Sequence, residues 1–217
     1  KWKLSASWGE FYDTMKYERR GEFGELILHA IIRQLFDSEP AISKIFFKDA
    51  ANDTVKGFDA VHVVDAEEGL ELWLGEAKFY KDFNAACTAV VAELAEHFKT
   101  DYLRSEFMLI SNKLDNTWRH ADTLKQLLHP NVSLDKVFKR IVVPVLVTYD
   151  SETVRKFTEH SAGYVEDFAG EIDRHWKTFA DRVPPITVRI RLLLLPLKDK
   201  SEFATMMHDR LQSWPNI

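Results

Sequence analysis

One cysteine, Cys87, stands among 217 residues, so the chain has no disulfide framework and no thiolate set for zinc. That usage suits a reducing cytoplasm. Long apolar runs are missing too. "IVVPVLV" and "LLLLPL" fall far short of the roughly 20 residues a membrane helix needs, and no signal-type segment is visible. A cytoplasmic protein with no membrane attachment is expected. Basic charge is scarce: the formal net charge is −5, which argues against a free-standing coater of DNA or RNA. An enzyme with a local basic strip, or one delivered to its substrate by a partner, stays possible. "GEFGE" lacks the lysine and hydroxyl of a phosphate-binding loop, so ATP hydrolysis is not expected. Nothing suggests a serine or cysteine nucleophile; Cys87 in "AACTAVVAEL" reads as a small core residue. The first residue is Lys1 rather than Met, so a preceding natural segment is expected.

What is present is an ordinary globular composition, 46% hydrophobic and 29% charged, in a chain long enough to bury a core. No repeat or low-complexity linker divides it, which predicts a single domain over 1–217. Residues 1–17 carry Trp2, Trp8, Phe11, Tyr12 and Tyr17 without a clear period. They read as an aromatic arm, packed on its own domain or docking another subunit.

From about Glu18 to Phe36 apolar residues recur at helical spacing, and "DSEP" ends the helix. "TVKGFDAVHVV" and "LELWLGEAKF", joined by "DAEEG", predict an antiparallel hairpin. A helix capped by Asp82 or Asn84 follows. "SEFMLISNKL" and "FKRIVVPVLVTYD" are strand candidates, the second apolar enough to be covered on both faces. "DNTWRHADTLKQLLHP" and residues 152–180 read as helices, "ITVRIRLLLLPL" as a strand and "KSEFATMMHDRLQSW" as a closing helix. The expected fold class is α/β, a mixed central β-sheet flanked by helices.

The hairpin contains an anomaly. Glu76 and Lys78, two residues apart, share one strand face with Leu70, Leu72 and Leu74, while Trp73 and Phe79 take the other. Charged groups between apolar neighbours suffer desolvation unless paired or metal-bound. Asp59, on the neighbouring strand, is close enough across the hairpin to share the site. On the preceding helix Glu25 opens the apolar stripe with Leu28, His29 and Ile32, and Glu22 lies at its margin. Glu25 is preferred. Asp59, Glu76 and the Ala77 carbonyl form a possible oxygen shell for Mg²⁺ (or Mn²⁺), with Glu25 bound directly or through water. Such an ion lowers the pKa of a bound water and offsets charge on a scissile phosphate, and Lys78 is placed to orient that water and stabilise the transition state. A surface hairpin whose Glu76 and Lys78 merely neutralise each other is the plainer alternative.

Other residues carry weaker signals. His29 reads as a core histidine, and His62 points away from Asp59. Lys81 is a possible DNA contact or a solvated turn lysine. Lys136, Lys139 and Arg140, and separately Arg189 with Arg191, could line a nucleic-acid path or meet acidic partners. "TMMHDRL" reads as core packing.

The helix acid, hairpin aspartate and Glu76-Ala77-Lys78 resemble the PD-(D/E)xK nuclease superfamily, with Phe58 where proline commonly precedes the aspartate. Through "RRGEFGELILHAII", "GFDAVHVV", "ELWLGEAKFYKD", "VPVLVTYDS" and "IRLLLLPLKDK" the chain further resembles the HamA-type nuclease subunit of Hachiman anti-phage defence systems. That resemblance implies a PD-(D/E)xK restriction-endonuclease-like core, with the catalytic part over 18–111 and the remaining sheet and helices over 112–217. It implies Glu25, Asp59, Glu76 and Lys78 as catalytic residues. It also implies a metal-dependent DNA endonuclease or exonuclease of little sequence specificity, held by a superfamily 2 helicase subunit (HamB-type). A non-catalytic regulatory or scaffold subunit with a relic nuclease fold is the alternative, and an RNA-directed enzyme with the same metal site is a third.

Overall fold

The computed structural model describes residues 21–42 and 57–213; the aromatic arm 1–17 lies outside them, as does the start of the first hairpin run before Gly57. Helix α1 (Glu22–Phe36) ends where Asp37 adopts a left-handed backbone, φ 50°, which a short polar side chain tolerates. Strand β1 (Glu39–Ile42) follows at once. "DSEP" therefore ends the helix as expected but also begins a strand that the sequence pattern did not reveal. Pro40 hid it. Proline is tolerated there because β1 is an edge strand, and its pairing with β2 shifts register between Pro40 and Ile42.

Strands β2 (Ala60–Ala66) and β3 (Gly69–Phe79) form the expected antiparallel hairpin, in register from Ala60↔Gly75 to Ala66↔Gly69. Gly69, φ 110°, supplies the positive backbone angle that the short Glu67-Glu68 connection needs. Helix α2 (Phe83–His97) starts at Asp82, whose Oδ1 accepts the Ala85 N–H at 2.7 Å. Helix α3 (Thr100–Lys113) occupies the region expected to be a strand through "SEFMLISNKL". Leu103, Phe107 and Ile110 are buried at helical spacing, whereas Met108 and Leu109 are exposed. A strand would have alternated; the continuous apolar run concealed a period of 3.6.

Helices α4 (Ala121–Leu128) and α5 (Leu134–Phe138) lead into β4 (Ile141–Asp150). The long helix expected over 152–180 is broken into α6 (Glu152–Lys156) and α7 (Ala162–Arg182). Each half has its own serine cap: Ser151 accepts from Val154 and Ser161 from Tyr164. Strand β5 (Arg189–Leu197) and helix α8 (Lys200–Gln212) complete the described chain.

The five strands of the described residues lie in the order β1-β2-β3-β4-β5, antiparallel up to β3 and parallel from β3 to β5. The protein is thus α/β with a mixed sheet flanked by helices, as expected. Strand β4 is buried on both faces. Val143, Val145, Val147 and Tyr149 join the larger core with α2 and α3, while Val142 and Leu146 join the smaller one with α1. The same alternation splits β3. Leu70, Leu72 and Leu74 face α2 and α3; Trp73 and Ala77 face Leu28 and Ile32 of α1.

Gly75 sits where these layers are tightest. A Cβ there would lie 2.8 Å from Leu28 Cδ2, 3.0 Å from Ala60 Cβ and 3.4 Å from Pro144 Cγ. Ala60 cannot rotate away. Gly75→Ala is expected to cost about 1–3 kcal/mol of stability through overpacking. Urea unfolding checks this, and an unchanged midpoint would show that the layers can separate freely.

Candidate functional site

The hairpin ladder ends at Ala60↔Gly75, yet β3 continues against β4 from Glu76↔Val145 to Phe79↔Thr148. The segment carrying Glu76, Ala77 and Lys78 is therefore held on the β4 side alone by the described strand pairing. Asp59 fills part of the other side. Its backbone N–H donates to the Gly75 carbonyl at 2.8 Å, and its Oδ2 accepts the Ala77 N–H at 2.9 Å. One carboxylate oxygen thus takes the part of the next strand carbonyl. Within a strand a residue's N–H and C=O emerge on one edge, so the Ala77 carbonyl lies on the edge that Asp59 guards.

Glu76 and Lys78 project toward α2. Glu76 is 1% exposed, and its Oε1 lies 2.7 Å from His97 Nδ1, although neither atom is aligned for a hydrogen bond or has another hydrogen-bond partner. Lys78 Nζ donates to Glu93 Oε2. Glu93 and His97 are one turn apart on α2, so one helix face meets both Glu76 and Lys78. His97 is itself fixed between rings: Tyr102 stacks on it at 4.6 Å and Phe58 meets it at 4.9 Å. Phe58, standing where proline is common in the resembled motif, is thus a wall of the site.

The electrostatics follow from this burial. Desolvation pushes the Glu76 carboxyl up to about 7, with the nearby Asp59 charge adding to the rise and His97 and Lys78 opposing it. Burial works against the His97 imidazolium, but the Glu76 contact outweighs it and His97 is raised. Burial likewise opposes the Lys78 ammonium, and the Glu93 carboxylate, with Glu76 and Asp59, holds its pKa above the ordinary lysine value. Burial also raises the Tyr102 phenol, reinforced by Glu106 and Glu76. Glu106, on α3, is 9% exposed and reaches the same region, since a Cβ on Gly57 would lie 3.1 Å from its Oε2.

Asp59, Glu76, Ala77 and Lys78 are thus brought together. Glu25 lies on α1, which packs on the other face of this stretch of β3: a Cβ on its neighbour Gly24 would lie 3.1 Å from Phe79 Cβ and 3.4 Å from Ala77 Cβ. The helical stripe did face the sheet, but on the side opposite Glu76 and Lys78. The charges acting on Glu76 are those of Asp59, His97 and Lys78. Lys81 is exposed just beyond β3, its carbonyl accepting the Asp150 N–H at 2.8 Å. Glu93, His97 and Glu106 were not identified from sequence. The spacing of Glu93 and His97, i and i+4 after the Glu-x-Lys strand, was the available signal.

Among the described residues no group of three or more His, Cys, Asp or Glu side chains is arranged to hold a metal ion. A magnesium ion needs fewer, since it commonly takes one or two carboxylates and retains waters or substrate oxygens. The buried Glu76 carboxylate beside the Asp59 charge suits such a hard cation.

Other candidates have internal duties. Arg189 Nη2 donates to Glu71 Oε1 at 2.6 Å, and Arg191 lies over Phe36 and Trp73 at 5.1 and 5.5 Å. Cys87 is fully buried, as a small core residue should be. Met206 is exposed, whereas Met207 packs on the Phe23 cluster, so "TMMHDRL" is only partly core. His29 meets His62 at 2.6 Å, and His62 also meets Ser38 at 2.9 Å, in the α1 layer.

Burial, with His29 and Arg33 nearby, lowers the His62 pKa to about 3. Folded His62 therefore stays neutral while the unfolded chain takes up a proton below about pH 6.5. Its contribution to stability is complete above that pH and shrinks as pH falls toward 3, by up to ~1.4 kcal/mol per pH unit. His62→Gln should flatten the acid-side decline of the melting temperature between pH 7 and 5. A curve parallel to the parent's would show that His62 is not its source.

Fold and site together define an α/β protein with a desolvated acid–lysine cluster at the open end of a hairpin. The chain belongs to the HamA family, whose model matches residues 3–211. It is similar to Anti-bacteriophage protein A of Escherichia coli (strain K12), with 24% identity over 160 residues. That alignment covers 72% of this chain and 29% of the relative, so the chain spans less than a third of that protein's length. No solved structure matches. Among the described residues no helix is long and apolar enough to cross a membrane.

Proposed function

We propose that the chain is a metal-dependent DNA nuclease of PD-(D/E)xK type acting in cytoplasmic anti-phage defence, with a helicase partner controlling it. The observation that carries this is the convergence of Asp59, Glu76 and Lys78 at the open edge of β3, with the Glu76 carboxylate buried beside the Asp59 charge. HamA family membership and the similarity to a protein named for action against bacteriophage support the biological setting.

In this proposal Asp59, Glu76 and the Ala77 carbonyl hold one Mg²⁺ or Mn²⁺ ion, and Glu25 contributes through water from the α1 side. When bound, the ion supplies an acidified water and charge neutralisation on the phosphate. Asp59 stays anchored through the Ala77 N–H, which fixes one of its carboxylate oxygens. Lys78, kept protonated by its carboxylate neighbours, acts as a cation on the pentacovalent transition state rather than as a base. Lys81, exposed on the same strand exit, contacts the DNA backbone. The acidic net charge fits a chain whose grip on DNA is shared with its partner.

The test is digestion of linear and circular DNA, and of RNA, by the chain alone and with the helicase, with ATP and metal varied separately. Metal-dependent loss of DNA is expected. No cleavage under any of these conditions favours the non-catalytic subunit, and faster loss of RNA favours the RNA-directed enzyme.

A further inference from the structure

Glu76 and Lys78 of β3 do not face solvent; they face one turn of α2. Glu93 engages Lys78 and His97 meets Glu76, the two contacts being formed by residues i and i+4 of a single helix. From this geometry we infer that Glu93 and His97 are positioning residues of the nuclease site, Glu93 acting through Lys78 and His97 through Glu76.

This inference rests on the nuclease reading above and adds the support of the site to it. Lys78 has a four-carbon stem with many rotamers, and its side chain is only 11% exposed. A flexible ammonium is useful at a developing charge only if its position is set beforehand, because ordering it during reaction costs entropy. Glu93 sets it. Its carboxylate is 43% exposed, so it reaches inward from the rim of the helix and stays accessible to water. The backbone beneath is equally constrained, since Thr148 Oγ1 accepts the Tyr80 N–H at 3.0 Å and fixes the exit of β3 to β4.

His97 does for Glu76 what outer histidines and carboxylates do around metal ligands: it selects one orientation of the carboxylate. It can do so because its ring is held. Tyr102 stacks on one side with an interplanar angle of 16°, and Phe58 abuts edge-on at 65°. Phe58 directly precedes Asp59, so the clamp on His97 and the position of the second acid are set by one dipeptide. Cys87, Val90 and Leu94 bury α2 against the sheet, which gives the helix the fixed height both contacts need.

The test compares the parent with Glu93→Gln, Glu93→Asp, His97→Gln, Lys78→Ala and Glu93→Gln/Lys78→Ala. Turnover of a labelled duplex oligonucleotide is measured at saturating Mg²⁺, with the helicase present, and Mn²⁺ binding is followed by electron paramagnetic resonance. Glu93→Gln should lower kcat about 10–100-fold with KM and Mn²⁺ affinity unchanged, and Glu93→Asp should recover part of the loss. In the Lys78→Ala background the same substitution should add nothing, since its effect passes through that lysine. His97→Gln should weaken Mn²⁺ binding and lower kcat together. Parent-like or faster turnover in Glu93→Gln, or a further loss on top of Lys78→Ala, overturns the inference for Glu93; parent-like Mn²⁺ affinity and turnover in His97→Gln overturns it for His97. A parent that neither cleaves nor binds Mn²⁺ overturns the nuclease reading itself, a separate result.

Discussion

Glu76→Gln and Lys78→Ala should each reduce metal-dependent DNA cleavage by about a thousand-fold while leaving the fold intact. Glu76→Gln keeps the volume of the side chain but removes the charge an ion would need, which withdraws several kcal/mol of transition-state stabilisation. Each 1.4 kcal/mol is tenfold in rate, so a thousand-fold loss corresponds to about 4 kcal/mol. Lys78→Ala removes a preset cation of the kind whose loss costs roughly 10²–10³ in turnover. Both variants should still fold. Glu76 is desolvated in the folded chain, and the Lys78 pair is partly open to water through Glu93. Circular dichroism and gel filtration check the fold, and single-turnover cleavage checks the chemistry. Either variant cutting as fast as the parent removes the metal-and-lysine mechanism.

The path to this site ran unevenly through the sequence. Glu76 and Lys78 stood out because a strand alternates strictly, so a charge on a face shared with Leu72 and Leu74 had to be buried or metal-bound; Asp59 stood out because it adjoins the paired strand. Which sheet face the helix carrying Glu25 packs on was not legible. A helical stripe shows that α1 faces a sheet, but a sheet has two faces, and the choice is made by Gly24 and Leu28 fitting over Ala77 and Gly75. Glu93 and His97 depend on the height at which α2 crosses β3, which no local pattern encodes. Strand β1 was hidden by Pro40, and α3 by four consecutive apolar residues that satisfy either period. Local chemistry was readable; the layering that decides which faces meet was not.

In the metal-free protein Glu76 should make the fold less stable as pH rises, and a divalent cation should reverse this. Its folded pKa is raised from 4.5 to about 7. The sign follows from proton counts: between these values the folded chain holds a proton that the unfolded chain has released. The stabilising contribution is complete below about pH 4.5 and is lost as pH climbs through about 7, a change of at most about 3–4 kcal/mol at ~1.4 kcal/mol per pH unit. Glu76→Gln cannot ionise, so without metal it should melt higher than the parent at pH 8 and nearly level with it at pH 5. His62 acts in the opposite direction and is common to both proteins, so the difference between them reports Glu76 together with the His97 it contacts. Mg²⁺ favours the ionised carboxylate and binds only the folded site. It should therefore raise the parent's melting temperature more at pH 8 than at pH 6, and leave Glu76→Gln unmoved. A parent whose melting at pH 8 ignores Mg²⁺ and Mn²⁺ alike has no cation site at Glu76, and its buried carboxylate would then need His97 alone as its reason for being there.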